Sequence, residues 1–414
     1  MDRRPLVLIS GKEVLAAGGH ESYVRAHALA AAKIGFEPHI FCASLRHGRE
    51  ETDFGVIHRV AAPRRRVPPG LFQLPLLTHL PLLARAVTRF LAPRPGPHVI
   101  HSFAIFAPAG VWATRTLRRR GVDTVPIASA YATRAYEIEL VKGELHRHHS
   151  LSDHLRYRAW RRWILSVDDR VEGWGYLGSR VVLVNYESVR QILLRAYGPG
   201  VNIRTLPYAA PGAFAEIESP ALPSVPEPVL ALEPRAAPLI VTVSRHVPRK
   251  GIDVLLLALA EVAAAGIPFR ACLVGPGTLL TSHRRLAAQL GLGGRVALPG
   301  QVPDVAPYLS CADIFALPSL RESSGSLSVV EALRAGKPII ASACDGLPED
   351  LLDERDALLV PAGDVTALAA ALKRLLTDSA LRERLAASAR ATHERRFSAD
   401  AFVAALGEVY REVI

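Results

Sequence analysis

A chain of 414 residues is too long for one ordinary core and points to two or three domains. Half of its residues are hydrophobic, which excludes a disordered chain, and no run of about eighteen uncharged apolar residues occurs, which excludes a membrane-spanning helix. With 50 Lys and Arg against 39 Asp and Glu, the net charge of +11 leaves nucleic acid, an anionic membrane surface and an anionic substrate open.

The cations are nearly all Arg, with Lys only at Lys12, Lys33, Lys142, Lys250, Lys337 and Lys373. Alongside abundant Ala and Leu, that bias reads as a coding habit, and no RRM, zinc-finger or KH signature accompanies it. Nucleic acid is therefore not an expected partner. Cys42, Cys272, Cys311 and Cys344 lie far apart with no C-x-x-C pair, so free buried thiols in a reducing cytoplasm are expected rather than a metal or redox centre.

In chain order, "MDRRPLVLIS" runs from charges into a short apolar stretch without a signal-peptide cleavage site, so 5–10 reads as a first strand. An amphipathic run over 20–34 reads as a helix closed by Gly35. Further strands are expected at 38–44, 99–103, 125–130 and 181–187. The stretch 64–91 holds an apolar helix expected to pack on its own sheet. The segment "KGELHRHHSLSDHLRYRAWRRW" (142–163) mixes four His with Arg and aromatics. It reads either as a solvated helix face with core aromatics or as a receiver of an anionic acceptor or membrane surface. Its histidines have no carboxylate or cysteine at ligand spacing.

Seven prolines in 211–238 mark a semi-rigid linker. Beyond it, strands are expected at 238–244, 269–275, 295–300, 314–319, 338–342 and 357–363, alternating with helices. Continuous Val/Ile/Leu strands alternating with helices indicate parallel sheets covered on both faces. Two doubly wound α/β domains follow. Two terminal helices are expected, from about 379 and from Ser398 as N-cap.

The chemistry concentrates in the second half. "SLRESSGSLSVVEALRAGKPIIAS" (319–342) is a strand end, a small-residue turn, a helix from about Ser326, and a stop at Gly336. Ligands of open α/β sheets bind at such carboxyl ends, and a helix N-terminus offers unpaired N–H groups to phosphate. Glu331, a turn into the helix, suits the vicinal hydroxyls of a ribose, and Glu322, on the turn, those of a second sugar. The plain alternative is a capped helix with both glutamates solvated. "VSRHVPRKGIDVLLLAL" (243–259) places Arg245 and Lys250 in one loop, a grip for a diphosphate. "LVGPGTLL" (273–280) adds a turn at Gly275 that lacks the dinucleotide-binding glycine pattern.

"VSRHVPRKGIDVLL", "LVGPG", "RVALPGQVPDVAPYLSCADIFALPS", "ESSGSLSVVEALRAGKPIIAS", "DGLPE" and "LLVPAGD" follow one another across about 240–364. In this order and spacing they resemble the C-terminal domain of the family 4 retaining glycosyltransferases. "GGHESYVRAHALAAAKIGFEPHIF" (18–41) and "VIHSF" extend the resemblance more weakly to the first half. It implies the GT-B fold, two Rossmann-like domains facing across a cleft: an acceptor-side domain over 1–210, the linker 211–237, a nucleotide-sugar domain over 238–395, and a last helix over 396–414 returning to the first domain.

The resemblance implies a transferase that moves a sugar from a nucleotide diphosphate sugar to an acceptor hydroxyl with retained configuration. Arg245 and Lys250 would hold the diphosphate, Glu331 the ribose, and Gly18 and Gly19 the loop facing the phosphates. Gly275, Gly325, Ser326 and Leu327 would line the donor. No metal or other cofactor is implied, and the D-x-D of the other large glycosyltransferase fold is missing. The family has seven residues between its two acids, whereas Glu322 and Glu331 enclose eight. Either a one-residue bulge restores Glu322 to the donor sugar, the favoured solution, or Ser323 occupies the acid position and sugar recognition is altered. Tyr131 stands where a histidine commonly ends a first-domain strand. His20 and His101 lie near strand ends on the acceptor side, though a structural role is the first reading for each. A catalytically weak homologue acting as a partner or scaffold, and a surface binder whose basic helix contacts a membrane or nucleic acid, are the other classes that the sequence leaves open.

Overall fold

The computed structural model describes residues 4–11, 13–15, 19–62, 76–138, 151–206, 208–209, 214, 225–322 and 325–414. The chain forms two units, Met1–Phe214 with Ser398–Ile414, and Ala215–Phe397. Each has its own doubly wound sheet.

The first sheet runs β3-β4-β2-β1-β5-β6-β7-β8. Its strands are β1 (Arg4–Ile9), β2 (Phe36–Ser44), β3 (Gly48–Thr52), β4 (Gly55–Ala61), β5 (His98–Phe103), β6 (Thr124–Ala130), β7 (Val181–Val184) and β8 (Ile203–Thr205). All neighbours pair in parallel except β3 with β4. Three of these strands escaped the sequence pattern. β3 reads GREET, with no apolar residue to mark it, and β4 is joined to it by the tight turn in which Thr52 Oγ1 donates to the Gly55 carbonyl at 2.7 Å. β8 is a three-residue edge. The expected strand 181–187 stops at Val184, because Tyr186 is already the N-cap of the helix Glu187–Tyr197.

The helix Gly19–Ile34 ends at Gly35, whose φ of +100° permits the left-handed exit. Its buried face, Tyr23, Val24, Ala26 and Ala30, packs with Phe402, Leu406, Val409 and Tyr410 of the terminal helix Ala399–Val413. Ser398 caps that helix by accepting from the Ala401 N–H at 3.2 Å. The helix Leu76–Leu91 buries Leu83, Val87 and Leu91 against Val7, Ile9 and Phe41 of the same sheet. Of the expected linker, 211–213 and 215–224 lie outside the described residues, whereas 225–237 carries the short helix Glu227–Leu230, with Val229 and Leu232 buried. Residues 142–150 of the His- and Arg-rich segment also lie outside the described residues.

The second sheet is wholly parallel, in the order β11-β10-β9-β12-β13-β14. All six strands fall where the apolar runs predicted them: β9 (Leu239–Val243), β10 (Arg270–Val274), β11 (Val296–Gly300), β12 (Ile314–Leu317), β13 (Ile339–Ser342) and β14 (Ala357–Val360). Strands buried on both faces keep a continuous apolar signal, which is why they were legible. The chain reverses direction across the sheet between β9 and β12. Loops leaving two such neighbours diverge to opposite faces, and ligands bind in the crevice they leave.

Candidate active site

In the second unit the loops after β9 and β12 meet at this reversal. The first carries Arg245, Arg249 and Lys250 through a short 3-10 turn (Pro248–Lys250) into the helix Ile252–Ala264. The two loops are stitched through the backbone: the N–H groups of Leu320 and Arg321 both donate to the Arg249 carbonyl, at 2.8 and 3.2 Å. Gly251 lies between them at φ +60°, and a Cβ there would stand 2.1 Å from the Pro318 carbonyl oxygen. Only glycine allows this approach.

The approach brings Lys250 onto Glu322. The Lys250 ammonium donates to Glu322 Oε1, the Ser319 hydroxyl donates to the same oxygen at 2.5 Å, and Arg249 stands 3.9 Å from Oε2. Glu322 is 5% exposed and Lys250 8%. Burial pulls the Lys250 pKa below its ordinary value, while the Glu322 carboxylate pushes it back up. The Glu322 backbone N–H is held in turn by Asp345 Oδ2 at 2.5 Å. The solvated alternative for Glu322 is therefore wrong: this carboxylate is buried in an ion pair.

Arg245 is exposed at the start of its loop. The residue behind it is anchored: His246 is fully buried, its N–H donates to the Pro276 carbonyl at 2.8 Å, and its own carbonyl accepts from the Leu279 N–H at 2.9 Å. Its ring meets His283, Nδ1 to Nδ1, at 2.9 Å, and burial holds its pKa down at about 4, so the pair stays neutral. Gly275 closes the neighbouring turn at φ +143°, where a Cβ would lie 2.0 Å from the Ser244 carbonyl oxygen. Gly275→Ala should therefore displace the loop that carries Arg245 and cost about 2–3 kcal/mol of stability, read by denaturant unfolding. An unchanged midpoint would show that the turn tolerates a side chain.

The helix after β12 spans Leu327–Arg334, with Ser326 as N-cap in extended conformation and Gly325 before it. The Ser326 side chain bonds Ser328 Oγ at 2.9 Å instead of capping the helix, so the first-turn N–H groups keep capacity for an anion. Glu331 is half-buried one turn on. Burial raises its pKa to about 7, with Arg334 opposing and Asp304 adding to the rise, so the solvated alternative fails here too. Ser323 lies outside the described residues.

In the first unit Gly19 opens the first helix and is exposed, while Gly18 lies outside the described residues. His20 Nε2 stands 3.1 Å from Ser10 Oγ and 3.2 Å from the Ser10 carbonyl oxygen, which ties it to the end of β1. Tyr131, just past β6, packs edge-on against His20 and Tyr23, and its hydroxyl is buried with no hydrogen-bond partner among the described residues. His101 leaves the acceptor-side set and takes the structural role that is the first reading for it. It is fully buried, with Nδ1 at 2.9 Å from the Tyr410 hydroxyl and Nε2 at 2.8 Å from Ser129 Oγ, so both nitrogens serve the core.

Two family models cover most of the chain. Residues 18–209 match "Glycosyl transferase 4-like domain" and residues 237–378 match "Glycosyl transferases group 1". The chain belongs to the family 4 glycosyltransferases. Among curated relatives of this family member, the lipopolysaccharide core biosynthesis glycosyltransferase LpsD of Rhizobium meliloti is 37% identical over 177 residues, 43% of this chain and 50% of that protein. The GDP-mannose-dependent alpha-(1-6)-phosphatidylinositol monomannoside mannosyltransferase of Mycolicibacterium smegmatis is 29% identical over 242 residues, 53% of this chain and 62% of that protein. The chain thus spans about half the length of the curated relatives it matches. Sucrose-phosphate synthase from Thermosynechococcus elongatus is similar in structure over 99% of both chains, with a TM-score of 0.74 and 26% identity. HepE from Anabaena, in complex with UDP, shares the fold at a TM-score of 0.68 and 16% identity, over 99% of this chain and 100% of that one. The fold is GT-B.

Arg249, Ser319 and Asp345 complete the second unit's site and were not picked out in the sequence. The Arg-Lys pair at 249–250 was the available signal for Arg249. Ser319 and Asp345 were legible only as parts of matching motifs: Ser319 bonds Glu322 within its own small-residue turn, where no pattern singles it out, and Asp345 reaches Glu322 from another loop.

Proposed function

We propose that the protein transfers a sugar from a nucleoside diphosphate sugar to an acceptor hydroxyl with retention of configuration. The contact between Lys250 and Glu322 carries this reading. It sets a cation for the diphosphate directly beside a carboxylate for sugar hydroxyls, at the reversal point of a parallel sheet. The main barrier in such a transfer is departure of a charged diphosphate from an oxocarbenium-like carbon. Fixed positive charge lowers it, because the site is already oriented when the charge develops. Arg245, Lys250 and the N–H groups before Ser328 supply that charge. As the bond from the anomeric carbon to the diphosphate oxygen breaks, the acceptor oxygen bonds to the same face and its proton passes to the leaving phosphate oxygen. No protein nucleophile is required.

The acceptor is a hydroxyl of a small molecule, glycolipid or polysaccharide. The names of relatives that act on lipopolysaccharide core and on a phosphatidylinositol mannoside support that range. Among the described residues no group of three or more His, Cys, Asp or Glu is arranged to hold a metal ion. With Arg245, Lys250 and the helix N–H groups set to carry the diphosphate charge, turnover should persist in EDTA; an absolute need for a divalent ion would count against the mechanism.

Glu331 gives the reading a pH test. Its raised pKa means that the carboxyl ionises near neutrality, and the charged form accepts ribose O–H donors about twice as strongly. Ribose binding favours that form, so affinity for a nucleoside diphosphate should rise by roughly fivefold between about pH 6 and pH 8. Phosphate ionisation contributes equally to wild type and Glu331→Gln, so the difference between them isolates this carboxyl. Identical pH profiles would remove Glu331 from the ribose site. Screening nucleoside diphosphates and their sugars for a raised thermal midpoint tests the reading as a whole, since a ligand bound only by the folded state must raise it.

A further inference from the structure

All four tryptophans of the chain, Trp112, Trp160, Trp163 and Trp174, lie on two helical stretches of the first unit. One is the helix Ala107–Arg118. The other is the continuous helical segment 151–177, in which a π turn at Ile164–Asp168 joins Leu151–Trp163 to Asp169–Leu177. Trp112, Trp163 and Trp174 are 48, 38 and 37% exposed, and Leu165 and Leu177 are exposed beside them. Soluble surfaces rarely spend large aromatics this way.

Arginines share the face. Arg158, Arg162, Arg170 and Trp174 follow at helical spacing, and Arg158, Arg161, Arg162 and Arg170 line a hollow of about 430 Å³ with Leu165 and Ser166. Arg170 also lines a second hollow of about 460 Å³, with Arg115, Trp174 and Leu177, so the two form one surface. The Arg115 guanidinium stacks 4.7 Å over the Trp174 ring and links the two helical stretches. The three carboxylates within 158–177 are taken by other partners. Asp168 accepts from the Trp163 indole N–H at 3.2 Å, Asp169 from the Tyr197 hydroxyl at 2.9 Å, and buried Glu172 from the Arg134 N–H at 2.9 Å and the Tyr176 hydroxyl at 3.0 Å. Asp169 lines the second hollow but is half-buried, and no exposed carboxylate stands over 158–177: the exposed groups there are arginines, large apolar side chains, Ala159 and Ser166.

We propose that this face docks the protein on an anionic bilayer surface, with Trp112, Trp163 and Trp174 in the headgroup layer and Arg115, Arg158, Arg162 and Arg170 on lipid phosphates. Indole rings with one polar edge favour the membrane–water interface. Guanidinium forks bind phosphate oxygens in pairs, and their stems lie along the apolar groups. The stripe from residue 158 to residue 177 is roughly 30 Å long at the rise of a helix, enough to engage several headgroups at once. The docking is independent of the donor site, so either reading can fail without the other.

Co-sedimentation of the full chain with vesicles tests the proposal, using phosphatidylcholine alone and phosphatidylcholine mixed with phosphatidylglycerol. Binding is expected only with the anionic mixture, should weaken as salt rises, and should shift the tryptophan emission to shorter wavelength, because every tryptophan lies in this region. Replacing Arg158, Arg162 and Arg170 by Gln should lower partitioning by about a hundredfold, at roughly fivefold for each charge. Trp112→Ser with Trp174→Ser should weaken it while leaving its salt dependence in place. Far-ultraviolet circular dichroism confirms that each variant is folded, and the single Arg162→Gln, on an exposed position, provides the comparison if the triple variant is not. Failure to bind anionic vesicles, undiminished binding by folded variants, or a face that proves to join two copies of the chain would overturn it.

Discussion

Lys250→Ala should abolish most transfer, by about thirty-fold to several thousand-fold, as expected when a buried phosphate loses its charge partner at roughly 2–5 kcal/mol. The structure adds a second consequence. Lys250 is the close counter-ion of Glu322, with Arg249 farther off at 3.9 Å, and both are nearly buried, so truncating the lysine leaves a buried carboxylate without its nearest charge partner. Breaking a buried pair from one side costs about 3–5 kcal/mol of stability. The two losses separate in the double variant Lys250→Met with Glu322→Gln, where the pair becomes neutral at similar volume. Stability should largely return while transfer stays lost. Arg245→Ala is the companion: its side chain is exposed, so activity should fall by a similar factor with little change in the unfolding midpoint. Near wild-type turnover in both single variants would sink the assignment of the diphosphate to this loop.

The second large effect concerns the two acids, whose deletions should differ in kind. Glu331→Gln should weaken every ligand that carries the nucleoside, the bare diphosphate included. Glu322→Gln should lower transfer by more than about tenfold, since a site built around hydroxyl contacts discriminates strongly once a partner is lost. It should leave diphosphate binding intact or slightly tighter, because the carboxylate no longer competes for Lys250. Ser319 and Lys250 can both still donate to the Gln carbonyl, so the stability lost with the buried charge pair should be smaller than in Lys250→Ala. Ser323→Ala is the control for the extra residue between the acids. Normal transfer by Glu322→Gln together with damage in Ser323→Ala would show that the acid position has moved.

How much of this was legible follows from what sequence patterns carry. The six strands of the second sheet were readable because both faces are buried, and the helix caps at Ser398 and Gly35 because capping is local. β3 escaped because a charged edge strand has no apolar period, and β8 because three residues are too few to show one. At the site, Arg245, Lys250, Glu322 and Glu331 stood out by residue type and spacing. The ion pair between Lys250 and Glu322 did not, since it joins residues 72 apart through the approach that Gly251 permits. A structural role is the first reading of His101, but its two partners come from β6 and the terminal helix, and no local pattern shows them.

Proton NMR of donor turnover tests the central claim most directly. A nucleoside diphosphate sugar is incubated with the protein and either water or a hydroxyl acceptor, and the first-formed product is read before its anomers equilibrate. The account predicts release of the nucleoside diphosphate with the anomeric configuration of the donor sugar kept in the product. First formation of the opposite anomer, or no release from any nucleoside diphosphate sugar, would contradict it.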